Sequence, residues 1–161
     1  MQGYIQSGID EGAQLLAGGL GLPDGVTKGY FVRPTVFADV KPGMTIEKEE
    51  IFGPVLCMMP FDDEAHAVRI ANDTPYGLTN YVRRFKHLSK AFFVLLTRLM
   101  QVQTCDGARR NRLAHQLRAG MVEMNGNSLG AGSPFGGVKA SGRAREGGVW
   151  GIEVLFLLHV L

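Results

Sequence analysis

The sequence predicts an α/β fold, a partial, open and mainly parallel sheet with flanking helices, and three observations carry the prediction. The apolar run Val55-Leu56-Cys57-Met58-Met59 follows a Gly-Pro turn and has the length of a strand. From there, segments of strand and helix character alternate, which is the pattern of crossover units in a parallel sheet. The 161 residues, 45% hydrophobic with 22 glycines, amount to one loop-rich domain rather than a disordered chain.

In chain order, Tyr4 to Leu16 begins as a helix and gives way to a strand at Gly12. A turn region from Gly18 to Gly29 follows, in which Pro23 presets one backbone angle and Gly25 takes a positive one. Phe31-Val32-Arg33-Pro34-Thr35-Val36-Phe37 is rich in aromatic and β-branched residues. Pro34 cannot donate to a ladder, so an edge or broken strand is expected there. Lys41-Pro42-Gly43 then leads to Glu49-Glu50-Ile51-Phe52-Gly53-Pro54-Val55, which sets two carboxylates and an aromatic before a turn and an apolar strand. Residues just ahead of such a strand sit at its rim, within reach of a ligand; a solvated acidic loop is the plainer account of the same residues.

Beyond that strand, Asp62 to Asn72 is expected to be a helix, with Asp62 as N-cap, acids in the first turn and Pro75 past its end. A short strand from Gly77 to Val82 follows. A helix from Asp106 to Ala119 puts Leu113 and Leu117 on one face and is stopped by Gly120, and Met121 to Asn125 is a further strand.

Charge and motif content exclude several classes. Seventeen basic and 15 acidic residues leave a net charge of +2, too even for a nucleic-acid or acidic-membrane surface. No charged and apolar leader opens the chain, and Cys57 and Cys105 make no disulfide framework, so a reducing, cytoplasmic setting is expected. The apolar tail Val154 to Leu161 is far short of the ~20 residues a membrane helix requires. Neither common nucleotide fingerprint, Gly-x-Gly-x-x-Gly or Gly-Lys-Ser/Thr, occurs, and the glycine-rich run Gly126 to Ser133 lacks the lysine and helix start of a phosphate cradle. His66, His87, His115 and His159 are scattered without metal-ligand spacing, so no metal site is expected.

Lys48-Glu49-Glu50-Ile51-Phe52-Gly53-Pro54-Val55 resembles the E-x-F-G-P-V motif of the NAD(P)-dependent aldehyde dehydrogenases. Gly12-Ala13 with Gly18-Gly19, Gly29-Tyr30-Phe31-Val32-Arg33-Pro34-Thr35-Val36, Asn72-Asp73-Thr74-Pro75-Tyr76-Gly77-Leu78 and Ser133-Pro134-Phe135-Gly136-Gly137-Val138-Lys139 stand around it in the family's order. The resemblance covers most of residues 3 to 152 and is to the C-terminal part of the family. Residues 1–161 are therefore expected to form a single incomplete domain of that fold.

Three stretches depart from the family's pattern. Residues 83–102 have no counterpart, and deleting them rejoins Val82 to Gln103 smoothly; an extension of the reading frame, an added helix docking on the body or a partner, and a membrane-surface helix all stay open. Ala144 stands where glycine is usual, which puts the local turn in doubt. After Gly151-Ile152-Glu153 the tail at 154–161 diverges, and an unpaired apolar end invites association.

The resemblance implies aldehyde oxidation with NAD or NADP through a cysteine thiolate. It also implies that this cysteine, the general base, the oxyanion-hole asparagine and most of the dinucleotide-binding domain lie N-terminal to anything present here. No residue of this chain is assigned a catalytic role. Cys57 in an apolar strand and Cys105 beside Asp106 are both expected to be poor thiolates. What carries over is Glu50 as acceptor for the nicotinamide-ribose hydroxyls, Phe52 as the aromatic near that end of the cofactor, and Phe135 as a wall of the substrate entrance. A carboxylate suits two vicinal hydroxyl donors because it accepts only.

The chain is accordingly expected to be a fragment inactive alone, with weak or no cofactor binding, whose partners are a small aldehyde in the parent enzyme and further copies or a complementing N-terminal portion. A non-catalytic interaction or oligomerisation domain, or a remnant, is the alternative.

Overall fold

The fold was obtained as a computed structural model that describes residues 1–83, 92–96, 99–103, 106–124 and 132–152, the side chains at 82–83, 92–96 and 99–103 excepted. The elements follow as α1 (Gln2–Asp10), β1 (Gln14–Ala17), β2 (Thr35–Ala38), α2 (Thr45–Lys48), β3 (Val55–Pro60), α3 (Glu64–Asn72), β4 (Thr79–Arg83), β5 (Phe92–Leu96), β6 (Leu99–Gln103), α4 (Gly107–Gln116) and β7 (Met121–Met124), then a 3-10 turn at Lys139–Ser141. The expected alternation is present, but α2 is too short to have been visible as a period.

All seven strands belong to one sheet, in the order β1-β2-β3-β5-β6-β4-β7. The sheet is mixed rather than mainly parallel: β2–β3, β4–β6 and β4–β7 pair parallel, while β1–β2, β3–β5 and β5–β6 pair antiparallel. The antiparallel pairs come from the edge strand β1 and from β5 and β6. Residues 92–96 and 99–103 are extended, so neither helical account of 83–102 holds for its described part.

Strand β2 corrects the expectation for Pro34. It starts one residue after the proline and lies inside the sheet between β1 and β3, with Thr35 N–H donating to Pro54 C=O at 2.8 Å. Pro34 thus sits where no ladder donor is required. Helix α3 begins one residue later than expected, because Asp63, not Asp62, accepts the His66 N–H at 2.7 Å as N-cap. Helix α4 is capped by Asp106, as expected at that end, but stops at Gln116 with Leu117 already extended. The tail from 153 onward and Asn125 to Ala131 fall outside the described residues.

One core binds the elements together. Phe37 of β2, in register with Cys57 of β3, and Val55 and Met59 of β3 are buried on one face, and Ile5 of α1, Ile46 of α2, Ile70 and Ala71 of α3, Leu113 of α4 and Leu117 just past its end pack into the same cluster. The described helices therefore cover this face together rather than both faces. Leu113 and Leu117, four residues apart, both reach it.

Candidate functional site

The link between α2 and β3 is built to hold an acidic and aromatic tip at the start of a buried strand. Glu11 closes the front of α2, its carboxylate accepting from Thr45 N–H at 2.7 Å and Thr45 Oγ1 at 2.5 Å, which places negative charge where helix N–H groups lack partners. Glu49 ends α2 and accepts from Tyr4 Oη at 2.9 Å, so α1 steadies the acidic pair. That bond, followed by the Glu49 charge, raises the Tyr4 phenol above its ordinary value. Past the acids, Phe52 is 68% exposed and has φ of 52°, a left-handed conformation that side-chain-bearing residues rarely adopt. Gly53 then passes beneath Met1, where a Cβ would collide with its thioether.

Glu50 is half-buried and lines a cavity of about 30 Å³ with Ile46, Glu47, Cys57, Tyr76, Asn80 and Arg118. That is room for roughly one water. Asn80 is 3% exposed and Glu47 7%. Glu47 accepts from Gly43 N–H at 3.0 Å and faces Lys48 Nζ at 3.4 Å.

Two lysines clamp the Asn72-Asp73-Thr74-Pro75 loop beside this cavity. Lys48 Nζ donates to Asp73 Oδ2 at 2.8 Å and to Asp73 C=O at 3.1 Å, and the Asp73 carboxylate keeps its ammonium above the ordinary lysine value. From the other side, Lys139 Nζ donates to the carbonyls of Asn72 and Thr74, each at 3.0 Å. Burial, and after it the Arg118 charge, pull the Lys139 ammonium down. Gly77 C=O accepts from both Gly120 and Val138 N–H, and Gly77 N–H donates to Ser141 Oγ at 3.0 Å. Three separated sequence blocks therefore meet here, and none of Lys48, Asp73 or Lys139 was singled out by residue type.

Phe135 does not line the Glu50 cavity. It is 37% exposed and forms a two-bond antiparallel bridge with Glu146, both bonds 2.7 Å. Arg145 folds the intervening chain back, donating to Gly137 C=O at 2.6 Å and to the carbonyls of Arg143 and Ala144 at 3.0 Å. Ala144 does not have a positive φ, whereas Gly142, Gly147 and Gly148 do, so the alanine leaves the turn intact.

Cys57 is buried with its Sγ 3.7 Å from Ile46 C=O, and burial pushes the thiol up to about 12, as expected for a packing residue. Cys105 lies outside the described residues, as do His87 and His159. His66 is half-buried and pairs with Asp62 at 3.0 Å, and His115 is exposed near the end of α4. Among the described residues no cluster suited to a metal ion occurs, and no helix is long and apolar enough to cross a membrane.

The model of the aldehyde dehydrogenase family matches residues 1–90 and 99–159. The chain is 44% identical over 153 residues to a 3-succinoylsemialdehyde-pyridine dehydrogenase of Pseudomonas sp., covering 95% of this chain and 28% of that protein. Its fold is similar to the crystal structure of an aldehyde dehydrogenase from Bartonella henselae, with TM-score 0.79 and 56% identity over 94% of this chain and 28% of that one. It is also similar to a Mycobacterium tuberculosis aldehyde dehydrogenase complexed with NAD+, with TM-score 0.77 and 42% identity over 95% of this chain and 27% of that one. The chain thus spans less than a third of the length of the relatives it matches.

Proposed function

The chain belongs to the aldehyde dehydrogenase family, and from that premise we propose that it is the C-terminal portion of an NAD(P)-dependent aldehyde dehydrogenase, supplying cofactor and substrate walls to a fuller protein. The observation that carries this is the Glu50–Phe52 tip. A half-buried carboxylate and an exposed aromatic in a strained conformation stand together at the entry of β3. Strain of that kind persists where the surroundings over-determine it, and it concentrates at ligand sites.

In this assignment Glu50 accepts hydrogen bonds from the nicotinamide-ribose hydroxyls and Phe52 packs beside that end of the cofactor, while Phe135 lines the substrate entrance. When bound, the nicotinamide would supply the hydride acceptor that aldehyde oxidation requires. This chain's residues bind and orient; the Cys57 thiol, pushed up to about 12 by burial, offers no nucleophile at neutral pH, and Cys105 beside Asp106 is expected to be a poor thiolate, so the chain alone is proposed to be inactive and to hold the dinucleotide weakly. NAD is favoured over NADP by the NAD+ complex of the Mycobacterium tuberculosis relative. Residues 83–102 are proposed as an insertion, the location as cytoplasmic, and the partner as further copies or a complementing N-terminal portion. The non-catalytic alternative, an interaction domain, draws support from the exposed Tyr30, Phe31 and Trp150.

The test is reconstitution with a complementary N-terminal portion, following reduced-nicotinamide absorbance. Glu50→Gln should raise KM for NAD in the reconstituted enzyme, and the chain alone should give no turnover. Reconstituted activity indifferent to Glu50→Gln would remove the ribose assignment. Turnover by the chain alone would remove the proposed inactivity.

A further inference from the structure

Asn80 of β4 is 3% exposed and lines the same cavity as Glu50, yet among the described residues none makes a hydrogen bond with its side-chain amide. A buried amide left unpaired is costly, and an ordered molecule beside it is the usual remedy in native structures. Its neighbours on the cavity wall are otherwise engaged. Cys57 points its Sγ at Ile46 C=O, 3.7 Å away. Glu47, 7% exposed, takes the Gly43 N–H on one carboxylate oxygen and faces Lys48 with the other. Glu49 is exposed and takes the Tyr4 hydroxyl.

The volume of about 30 Å³ and the charges around it select the occupant. Glu47, Glu49 and Glu50 repel an anion, while Lys48 and Arg118 on the same wall oppose a cation. No cluster suited to a metal ion occurs among the described residues. An ammonium ion only donates, so it would leave the Asn80 N–H groups without an acceptor. A water accepts from Asn80 Nδ2 and donates to a carboxylate at once, and an ionised carboxylate only accepts. Of the three acids on this wall, Glu50 is the half-buried one, set between cavity and solvent.

We infer that Asn80 holds one buried water against the Glu50 carboxylate and so positions that carboxylate. The inference rests on the ribose assignment above and deepens it: Asn80 acts through Glu50 and is a positioning residue. A carboxylate has about four lone-pair sites, so a bond from the water leaves acceptors for two ribose hydroxyls. A water-mediated bond holds nearly as well as a direct one. Fixing Glu50 before a cofactor arrives removes ordering that binding would otherwise require. The wall beside Asn80 is itself fixed, because Gly77 N–H donates to Ser141 Oγ and Gly77 C=O accepts from Gly120 and Val138.

The first readout is solution NMR of the full, unmutated chain, so it decides even if a variant does not fold. The Asn80 side-chain NH2 protons should show a direct rotating-frame Overhauser contact with a long-lived water, and three-bond couplings at Glu50 should report a single χ1 rotamer. Asn80→Leu, of similar volume, should average the Glu50 couplings over several rotamers. Asn80→Ser, which keeps a hydroxyl beside the water, should restore the single rotamer. In the reconstituted enzyme Asn80→Leu should raise KM for NAD about 3–10-fold, the net worth of one hydrogen bond, with kcat held. A purely packing role for Asn80 would shift the thermal midpoint and leave both Glu50 and KM alone. Absence of the water contact, Glu50 couplings indifferent to Asn80→Leu, or a KM that rises with Glu50→Gln but not with Asn80→Leu would each overturn the inference. A KM indifferent to Glu50→Gln, with the water contact and the rotamer effect both present, would remove the ribose assignment and leave the positioning of Glu50 by Asn80 standing.

Discussion

Lys48 Nζ meets Asp73 Oδ2 at 2.8 Å while Lys139 Nζ, from the opposite side, meets the Asn72 and Thr74 carbonyls at 3.0 Å, so one loop between α3 and β4 is gripped by two motifs far from it in sequence. The two grips differ in kind. Lys48 makes a largely solvated ion pair, its side chain 37% and that of Asp73 71% exposed. Lys139 satisfies two backbone acceptors in a partly buried place. Lys139→Met should therefore lower unfolding free energy by about 1.5–3 kcal/mol, the range for hydrogen bonds to charged groups. Asp73→Asn, which removes the solvated pair but leaves Lys48 facing the buried Glu47, should cost only about 0–1 kcal/mol. Urea titrations of both variants decide it, and an effect of Asp73→Asn equal to or larger than that of Lys139→Met would count against the distinction.

These grips also mark the limit of what could be read from the chain. The Glu50–Phe52 tip and strand β3 were legible because turn, acids and apolar run are contiguous. Lys139 to Asn72 spans 67 positions, and nothing local tells a surface lysine from one that finds two carbonyls there. Pro34 misled because a proline within a β-rich run and a proline just outside one look alike. The sheet order was hidden for the same reason as the lysines: pairing of β3 with β5 is set by packing rather than by the composition of either strand.

Phe52 offers a test of stored strain. An L-residue in the left-handed region costs about 1–2 kcal/mol, and glycine removes that cost. With the ring 68% exposed, little burial is lost, so Phe52→Gly should raise stability by about 1 kcal/mol, whereas Phe52→Ala, which keeps the strain, should not. In the reconstituted enzyme Phe52→Gly should raise KM for NAD. A glycine variant no more stable than the alanine variant would show that the conformation is not strained.

Cys57 should behave as a packing residue that reports unfolding. Its thiol is held near 12 in the fold by burial, against about 8.5 in an unfolded chain. The proton stays bound more tightly in the folded state, so this contribution to stability is complete below about pH 8.5 and is lost as pH rises from there toward 12. In a Cys105→Ser background, iodoacetamide at pH 8 should label the native chain at least 100-fold more slowly than the chain in urea. Stability should fall above pH 9, and Cys57→Ala should flatten that fall. Rapid native labelling would show an accessible thiolate and reopen the assignment of this residue.

The β5–β6 pair poses the sharpest structural question, because the family model skips residues 91–98, a stretch that contains all of β5, although β5 stands in the middle of the sheet. The strand directions contain the answer to how the sheet would close without it. β4 runs parallel to β6, β6 runs antiparallel to β5, and β5 runs antiparallel to β3, so β4 is already parallel to β3. Bringing β4 against β3 would leave α3 as the crossover of an ordinary parallel unit, in which the freed edges of both strands pair with each other. The core contributors Cys57, Met59, Ile70 and Leu113 all lie outside the removed stretch. Joining Val82 to Gln103 should therefore preserve a single cooperative unfolding transition, with a midpoint at or above that of the full chain. Circular dichroism melts and urea titrations of the deletion variant measure this directly, and loss of cooperativity would establish β5 and β6 as elements the sheet cannot do without.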